Sequence, residues 1–422
     1  MKNKLVASCI TAAVLGTATM SFGAGFKIAE QGAKAMGMAN AFAAQADDAS
    51  ALAYNPAGIA FQKGTQLQIG STTILVPETE FTGTTKLSGT ASVTEEANRD
   101  IFIAPTVYAT TSLEGLPLSF GLGINSFHPL AKRWDAGGAF RDNPYEISIK
   151  PINFQPTVAY RLDGLKLALA VGVDITYAQV SLQKMPYLQI NPTTYRELGT
   201  LGADANGLGY GYNLGLLWKP LSNLSFGVAY RSQVKLYLDG NANFVATSAT
   251  GQALFGTSKI KTSGSTEITL PDALSIGVAW KPIEKLTLEF DTERTGWSSY
   301  KSFEMKFGPA LASFNNKPEA KNWKDVWAYR VGAQYAVTPK MDMRAGYAYD
   351  TNPIPGDTLS PELPDADRHN FSLGSGLHND LGSIDMSYML VAWKDRNVSN
   401  TKQVGTFKST AHLFAVAVTY KF

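Results

Sequence analysis

The chain has 422 residues, with 37 basic against 35 acidic, a net charge of +2 and a single cysteine, Cys9. Near-neutral charge without basic runs argues against a nucleic-acid or polyanionic partner, and one cysteine leaves neither disulfides nor thiolate metal sites. Beyond the first 23 residues no segment approaches the ~20 apolar residues of a helical membrane span.

The first element is an export signal. Lys2 and Lys4 precede an apolar run from Leu5 to Met20, and Ser21 and Gly23 are the small residues a signal-peptidase cut requires, which places cleavage after Gly23. Val6-Ala7-Ser8-Cys9 has the look of a lipoprotein box, but only Leu5 and Val6 stand before it as an apolar run, too few to insert.

Residues 24–64 are alanine-rich with helical spacing. Asp47 or Asp48 is placed to cap a short helix through Ala49–Tyr54; Asn55-Pro56 would end it, and Gly58 would allow a tight reversal. Such a piece could lie in the periplasm, form a linker or fill a barrel lumen. Its small side chains and low charge favour the lumen.

From residue 65 onward the dominant pattern has period 2. In 165–177, Leu165, Leu167, Leu169, Val171, Val173, Ile175 and Tyr177 alternate with Lys166, Ala168, Ala170, Gly172, Asp174 and Thr176; 224–231 and 274–281 read the same way. The glycine-rich stretch 207–215 is the small face of such a strand rather than a phosphate loop. Charged residues recur on the minor face, including Glu289, Asp291, Asp342 and Arg344. A sandwich core cannot bury that many charges, whereas a barrel lumen can. Short turns (113–117, 162–165, 219–223, 281–285, 338–340, 378–382) alternate with long connections (near 77–99, 127–144, 184–205, 246–262, 306–323, 351–366, 397–408). That is the asymmetry of periplasmic turns and extracellular loops, and it predicts about fourteen strands. Trp218 and Trp280 each precede Lys-Pro at a short turn, which puts both indoles at the periplasmic interface. The closing strand presents His412, Phe414, Val416, Val418, Tyr420 and Phe422 on one side, and Ala411, Leu413, Ala415, Ala417, Thr419 and Lys421 on the other. The predicted fold is all-β: a transmembrane antiparallel barrel of about fourteen strands (65–422), with an N-terminal helical plug (24–64) after a signal peptide (1–23), in the outer membrane of a Gram-negative bacterium.

The AGF at 24–26, ADDASALAYNPAGIA at 46–60 and DADRHNFSLG at 365–374 resemble the FadL/TodX family of outer-membrane transporters for long-chain fatty acids and other hydrophobic compounds. The resemblance runs from Ala24 to Phe422. It implies passive transport: capture among the loops, passage to a pocket in the upper lumen, movement of the plug or hatch, and lateral release where the third strand is kinked. Phe26 corresponds to the hatch-tip aromatic at the ligand, and Asn55, Pro56 and Ala57 to the hatch motif near the lateral opening. The kink is expected within 119–134, where Gly121 and Gly123 can supply a bulge or close approach. Here the chain departs from the family pattern, carrying Phe127-His128-Pro129-Leu130. Phe127, Leu130 and Trp134 are candidates for the capture groove, although they could equally cap the rim. Arg330 and Arg344 alternate inward and are candidate partners for a carboxylate.

No catalytic residue, cofactor or metal is expected: His128, His369, His378 and His412 are scattered and no serine motif accompanies them. The expected partners are a long-chain fatty acid or other hydrophobic small molecule, and outer-membrane lipid and lipopolysaccharide; the resemblance favours a monomer. Uptake of monoaromatic hydrocarbons by the same route, or a general porin, are the alternative readings.

Overall fold

The computed structural model describes residues 25–422 apart from 192–193 and 316–317, so the expected signal segment lies outside the described residues. Fourteen strands form the wall: β1 (Thr65–Thr85), β2 (Asp100–Ser112), β3 (Leu118–Asn125, resuming as Leu130–Arg133), β4 (Glu146–Leu162), β5 (Leu167–Lys184), β6 (Thr200–Leu221), β7 (Leu224–Arg231 and Val234–Val245), β8 (Lys259–Leu270 and Ala273–Ile283), β9 (Leu286–Thr295), β10 (Val326–Thr338), β11 (Met341–Asp350), β12 (Arg368–Asn379), β13 (Gly382–Trp393) and β14 (Gln403–Lys421). Each pairs antiparallel with its neighbours, and β1 closes on β14 from Gln66↔Lys421 to Thr85↔Gln403. Closure satisfies the backbone within the wall, which a bilayer demands. The strand count and the closed antiparallel architecture match the sequence reading.

The period-2 pattern becomes inside and outside. On β14, Phe414, Val416, Val418 and Tyr420 are exposed on the outer face, whereas Ala411, Leu413, Ala415 and Ala417 are buried within. Trp218 and Trp280 are exposed at the short-turn ends of β6 and β8. Glu289, Asp291, Asp342 and Arg344 all point inward and are buried.

What buries them is the segment 25–64, which runs through the lumen. It contains α1 (Ala33–Met36), α2 (Ala51–Tyr54) and a 3-10 turn (Pro56–Phe61). The helix expected over 49–54 is shorter, because Asp48 acts ahead of it: its Oδ1 accepts from Ser50 N (2.9 Å) and Ser50 Oγ (2.6 Å). Asp47 instead pairs with Lys34 (2.8 Å). Gly58 makes no reversal; it lies within the 3-10 turn, where a Cβ would overlap Ala46.

Two kinds of contact hold this plug. Its last third is apolar: Leu52, Ala57 and Ile59 pack on Tyr108, Ala159, Ala168 and Leu217 of the wall. The middle is gripped by carboxylates. Phe42 N and Ala43 N donate to Asp291 Oδ2 (2.8 and 2.9 Å), Ala44 N donates to Glu289 Oε1 (2.6 Å), and Gln45 N donates to Glu289 Oε2 (3.0 Å). Four consecutive amides thus form an anion-binding concavity around two wall side chains. The chain approaches the wall here so closely that a Cβ on Gly227 would collide with the Ala43 carbonyl.

The wall is interrupted between β2 and β3. β3 stops at Asn125 and resumes at Leu130. β2 pairs with β3 only from Val107 to Ser112, and the resumed piece, Leu130–Arg133, pairs only with β4. The upper part of β2, residues 100–106, therefore has β1 on one side and, among the described residues, no strand ladder on the other.

Candidate ligand-binding site

Above the plug lies a cavity of ≈ 590 Å³, within the range of ligand-binding pockets. Its lower wall is apolar: Ile147 and Ile149 from β4, Val180 and Leu182 from β5, and Ile268 from β8. Phe26 forms the floor, buried against Trp297 (ring centroids 4.7 Å apart), Trp323 (5.8 Å), Tyr300 (6.1 Å) and His128 (6.2 Å). Gly25, at φ +67°, allows this packing: a Cβ would strike both indoles, and its N–H is held by Asp365 Oδ2 (2.9 Å). Phe26 thus lines this cavity.

The rim is charged. Lys321 bridges Glu362 (2.6 Å) and Glu319 (3.4 Å), and Lys402 also reaches Glu319, so that three extracellular loops are strapped together. Burial alone would raise the Glu362 carboxyl, but Lys321, with Lys402 behind it, outweighs this and holds it down to about 2. Lys184, at the top of β5, has no ion-pair partner among the described residues and borders the cavity. Sequence reasoning passed over Lys184, although it shares parity with the inward Val180 and Leu182. Trp297 opens a 3-10 turn (Trp297–Ser299) that Tyr300 follows, and Trp323 lies in loop, so no strand periodicity marks any of them.

The expected capture trio does not form one groove. Leu130 lines the cavity. Trp134 is buried against Phe140 (4.8 Å) and donates from Nε1 to Pro361 O (2.9 Å). Phe127 lies under the Arg231 guanidinium (4.0 Å). All three are buried, since the break in β3 turns the residues after it inward in different directions. The two arginines do point inward, but carboxylates already engage them. Arg330 meets Glu293 (3.3 Å) and Asp350 (3.6 Å); Arg344 meets Asp385 (2.7 Å) and Asp342 (3.4 Å). Both act as lumenal ion pairs.

The residues that the resemblance assigns to a hatch, and those that cover the β3 break, lie against different parts of the wall. Asn55 donates from Nδ2 to Ala43 O (2.7 Å) and to Leu216 O of β6 (2.9 Å), and accepts from Ala57 N (3.2 Å). Asn55, Pro56 and Ala57 thus tie the plug to β6 rather than to the β3 break. The break is covered by residues 28–31. Ile28 N donates to Phe127 O (2.8 Å), Gln31 Nε2 to Ser126 O (2.8 Å), and Tyr108 of β2 to Gln31 O (2.9 Å). Gly121 and Gly123 lie in paired ladder below the break, with Gly121 facing Leu52 of the plug.

The family model for outer membrane protein transport protein (OMPP1/FadL/TodX) matches residues 14–422. The chain belongs to this family. It is 26% identical over 420 residues to the long-chain fatty acid transport protein of Escherichia coli O6:H1, covering 92% of each chain. Among solved structures it is similar to a Pseudomonas aeruginosa FadL homologue (TM-score 0.83, 21% identity, 94% of this chain and 100% of that one). It is also similar to the toluene transporter TodX of P. putida (TM-score 0.67, 16% identity, 95% and 99%). The protein is accordingly an outer-membrane transporter of hydrophobic compounds in a Gram-negative bacterium, and the family consists of transporters rather than enzymes.

Proposed function

We propose that this family member carries long-chain fatty acids passively: they are captured at the extracellular loops, held in the ≈ 590 Å³ cavity, and released sideways through the β2–β3 gap when the hatch moves. The cavity carries this reading. Its apolar lower wall suits an acyl chain, which gains ~0.8 kcal/mol per CH₂ removed from water, and Lys184 at the rim offers an ammonium to a carboxylate. A small aromatic hydrocarbon would have no use for that cation. Names of relatives point the same way, since one of those most similar in sequence is a long-chain fatty acid transport protein. In this scheme residues 24–64 are the hatch, 65–422 the barrel, and 1–23 a removed signal. Ligand reaching Phe26 loosens the 26–31 segment, and the gap it covers opens to the bilayer.

Uptake of labelled oleate by an outer-membrane mutant lacking its own fatty-acid transporter tests the substrate, with Asn55→Ala alongside. Restored uptake that the substitution weakens supports hatch-gated fatty-acid transport. No uptake by protein folded in the membrane removes fatty acids and makes toluene or xylene the next substrates. Deleting 24–64 should raise ion conductance sharply; unchanged conductance would count against a plug and toward an open porin.

A further inference from the structure

A second thin place in the wall lies six strands around the barrel, between β8 and β9. The upper piece of β8 pairs with Met305–Phe307 only at Gly264–Thr266, and its ladder with β9 begins at Ala273↔Thr295. Residues 267–271 thus have no strand partner on that side among the described residues. The turn after β9 packs into this notch. Outside it is a groove of ≈ 390 Å³ lined by Tyr237, Ser265, Glu267, Lys301 and Ser302. Inside is the ≈ 590 Å³ cavity. Two residues, Tyr300 and Glu304, line both. At these two positions a single residue thus stands between the outer groove and the ligand cavity.

The partition is weakly fastened. The Tyr300 hydroxyl takes no hydrogen bond among the described residues, and its ring leans on Trp323 (5.0 Å) and Phe26 (6.1 Å). Among the described residues Glu304 is ion-paired with Lys306 alone (3.7 Å), at a largely exposed contact of a kind that contributes little. The backbone beneath is held by Thr266 Oγ1 donating to Glu304 O (2.7 Å), so the side chains can move while the wall stays. The height is also informative. Below the groove the outer face shows Tyr230, Ile276 and Phe290. The first charges above them are Lys235 paired with Glu267 (2.6 Å) and Arg294 paired with Asp272 (3.1 Å). This is the upper edge of the apolar belt, where outer-leaflet head groups lie.

We infer that this notch is a side port through which a single-chain anionic amphiphile already lodged in the outer leaflet enters the ligand cavity. The inference rests on the proposed transport of such amphiphiles and adds a second way in. The head group stays in the polar groove beside Lys301, which has no ion pair among the described residues. The tail swings past Tyr300 onto Phe26 and Ile268 without crossing water.

Cys9 is the only cysteine, so once the signal is removed an introduced thiol is labelled cleanly. Ser265→Cys would be blocked with a bulky thiol reagent, with Thr410→Cys on the far outer face as control. Binding of a fluorescent C18 fatty acid is followed in proteoliposomes preloaded with it, and in amphipol, where no leaflet exists. The expected result is several-fold slower binding in liposomes for the blocked Ser265→Cys variant, with the amphipol rate and the control unchanged. Tyr300→Ala should speed the liposome rate. Unchanged liposome rates overturn the port while leaving the transport reading intact. An equal loss in both settings also overturns it, because the label would then act on the pocket. Failure of the unblocked protein to bind in either setting removes the transport reading itself, and the port with it.

Discussion

The carboxylate grip on residues 42–45 sets how firmly the plug is held, and it can be cut without touching the cavity. Asp291→Ala removes the acceptor of Phe42 N and Ala43 N, and Glu289→Ala that of Ala44 N and Gln45 N. Both side chains are almost wholly buried, so each substitution strands two buried donors at about 1–3 kcal/mol apiece, or roughly 2–6 kcal/mol for the pair. With about 1.4 kcal/mol per tenfold, even the lower bound raises the population of displaced plug by roughly 30-fold. Asp291→Asn keeps an oxygen for both amides and should cost about half as much, the charge assistance being lost. Conductance of single channels in planar bilayers reads the displaced state directly. The double Ala variant should show frequent large openings, Asp291→Asn fewer, and the parent rare ones. A double variant that is folded, by its migration on unheated gels, yet conducts like the parent would refute the idea that these bonds hold the plug.

Lys184→Met should weaken binding of oleate by about tenfold or more, the loss of one charge-assisted bond, and leave its methyl ester unaffected; equal loss for both ligands in a titration would make Lys184 a packing residue only. The Lys321–Glu362 strap should be insensitive to mild acid. Glu362 is depressed to about 2 from an ordinary value of 4.5, so its stabilisation is complete above 4.5 and is lost only as pH falls through about 2; loop proteolysis should therefore be flat from pH 7 to 5. Amides of 42–45 should exchange hydrogen faster than those of 57–61, as read by mass spectrometry of the barrel in lipid, because only the latter sit in apolar packing.

Much of the fold was legible because a barrel in lipid has one simple rule. Every second residue faces lipid, so Phe414, Val416 and Val418 announce themselves, and the minor face can hold Glu289 or Arg344 only if a polar lumen exists. Turn length alone then fixed orientation and strand number. The site was less legible, for two physical reasons. Parity says that Arg330 and Arg344 point inward, but not that Asp350 and Asp385 meet them, because that depends on the register of neighbouring strands. Proximity in sequence misleads where a strand breaks. Phe127, Leu130 and Trp134 lie within eight positions of one another, yet across the interruption at 126–129 Phe127 goes under Arg231, while Leu130 and Trp134 join one buried apolar cluster at different places, the cavity wall and the Phe140 ring.

The plug's two halves are held by different forces, and the difference bears on which half can move. Residues 51–61 present Leu52 and Ile59 to wall alanines and Leu217, a contact that water cannot replace. Residues 37–48 place Ala39 and Ala46 in apolar clusters but are otherwise held by amides on carboxylates and by Ser372, which accepts from Ala39 N (2.8 Å) and donates to Gly37 O (3.1 Å). Those bonds can be exchanged for water at modest net cost. The same stretch carries strain: Ala39, Asn40 and Ala46 are left-handed at φ 52°, 63° and 38°, a conformation that costs an alanine roughly 1–2 kcal/mol. Release of the grip would let that strain relax, whereas the apolar half has nothing comparable to gain. Motion that begins at Phe26 should thus run through the strained, polar stretch and stop at α2, with Asn55 as the fixed end. The gap beside β3 is covered by residues 28–31, on the mobile side of that boundary.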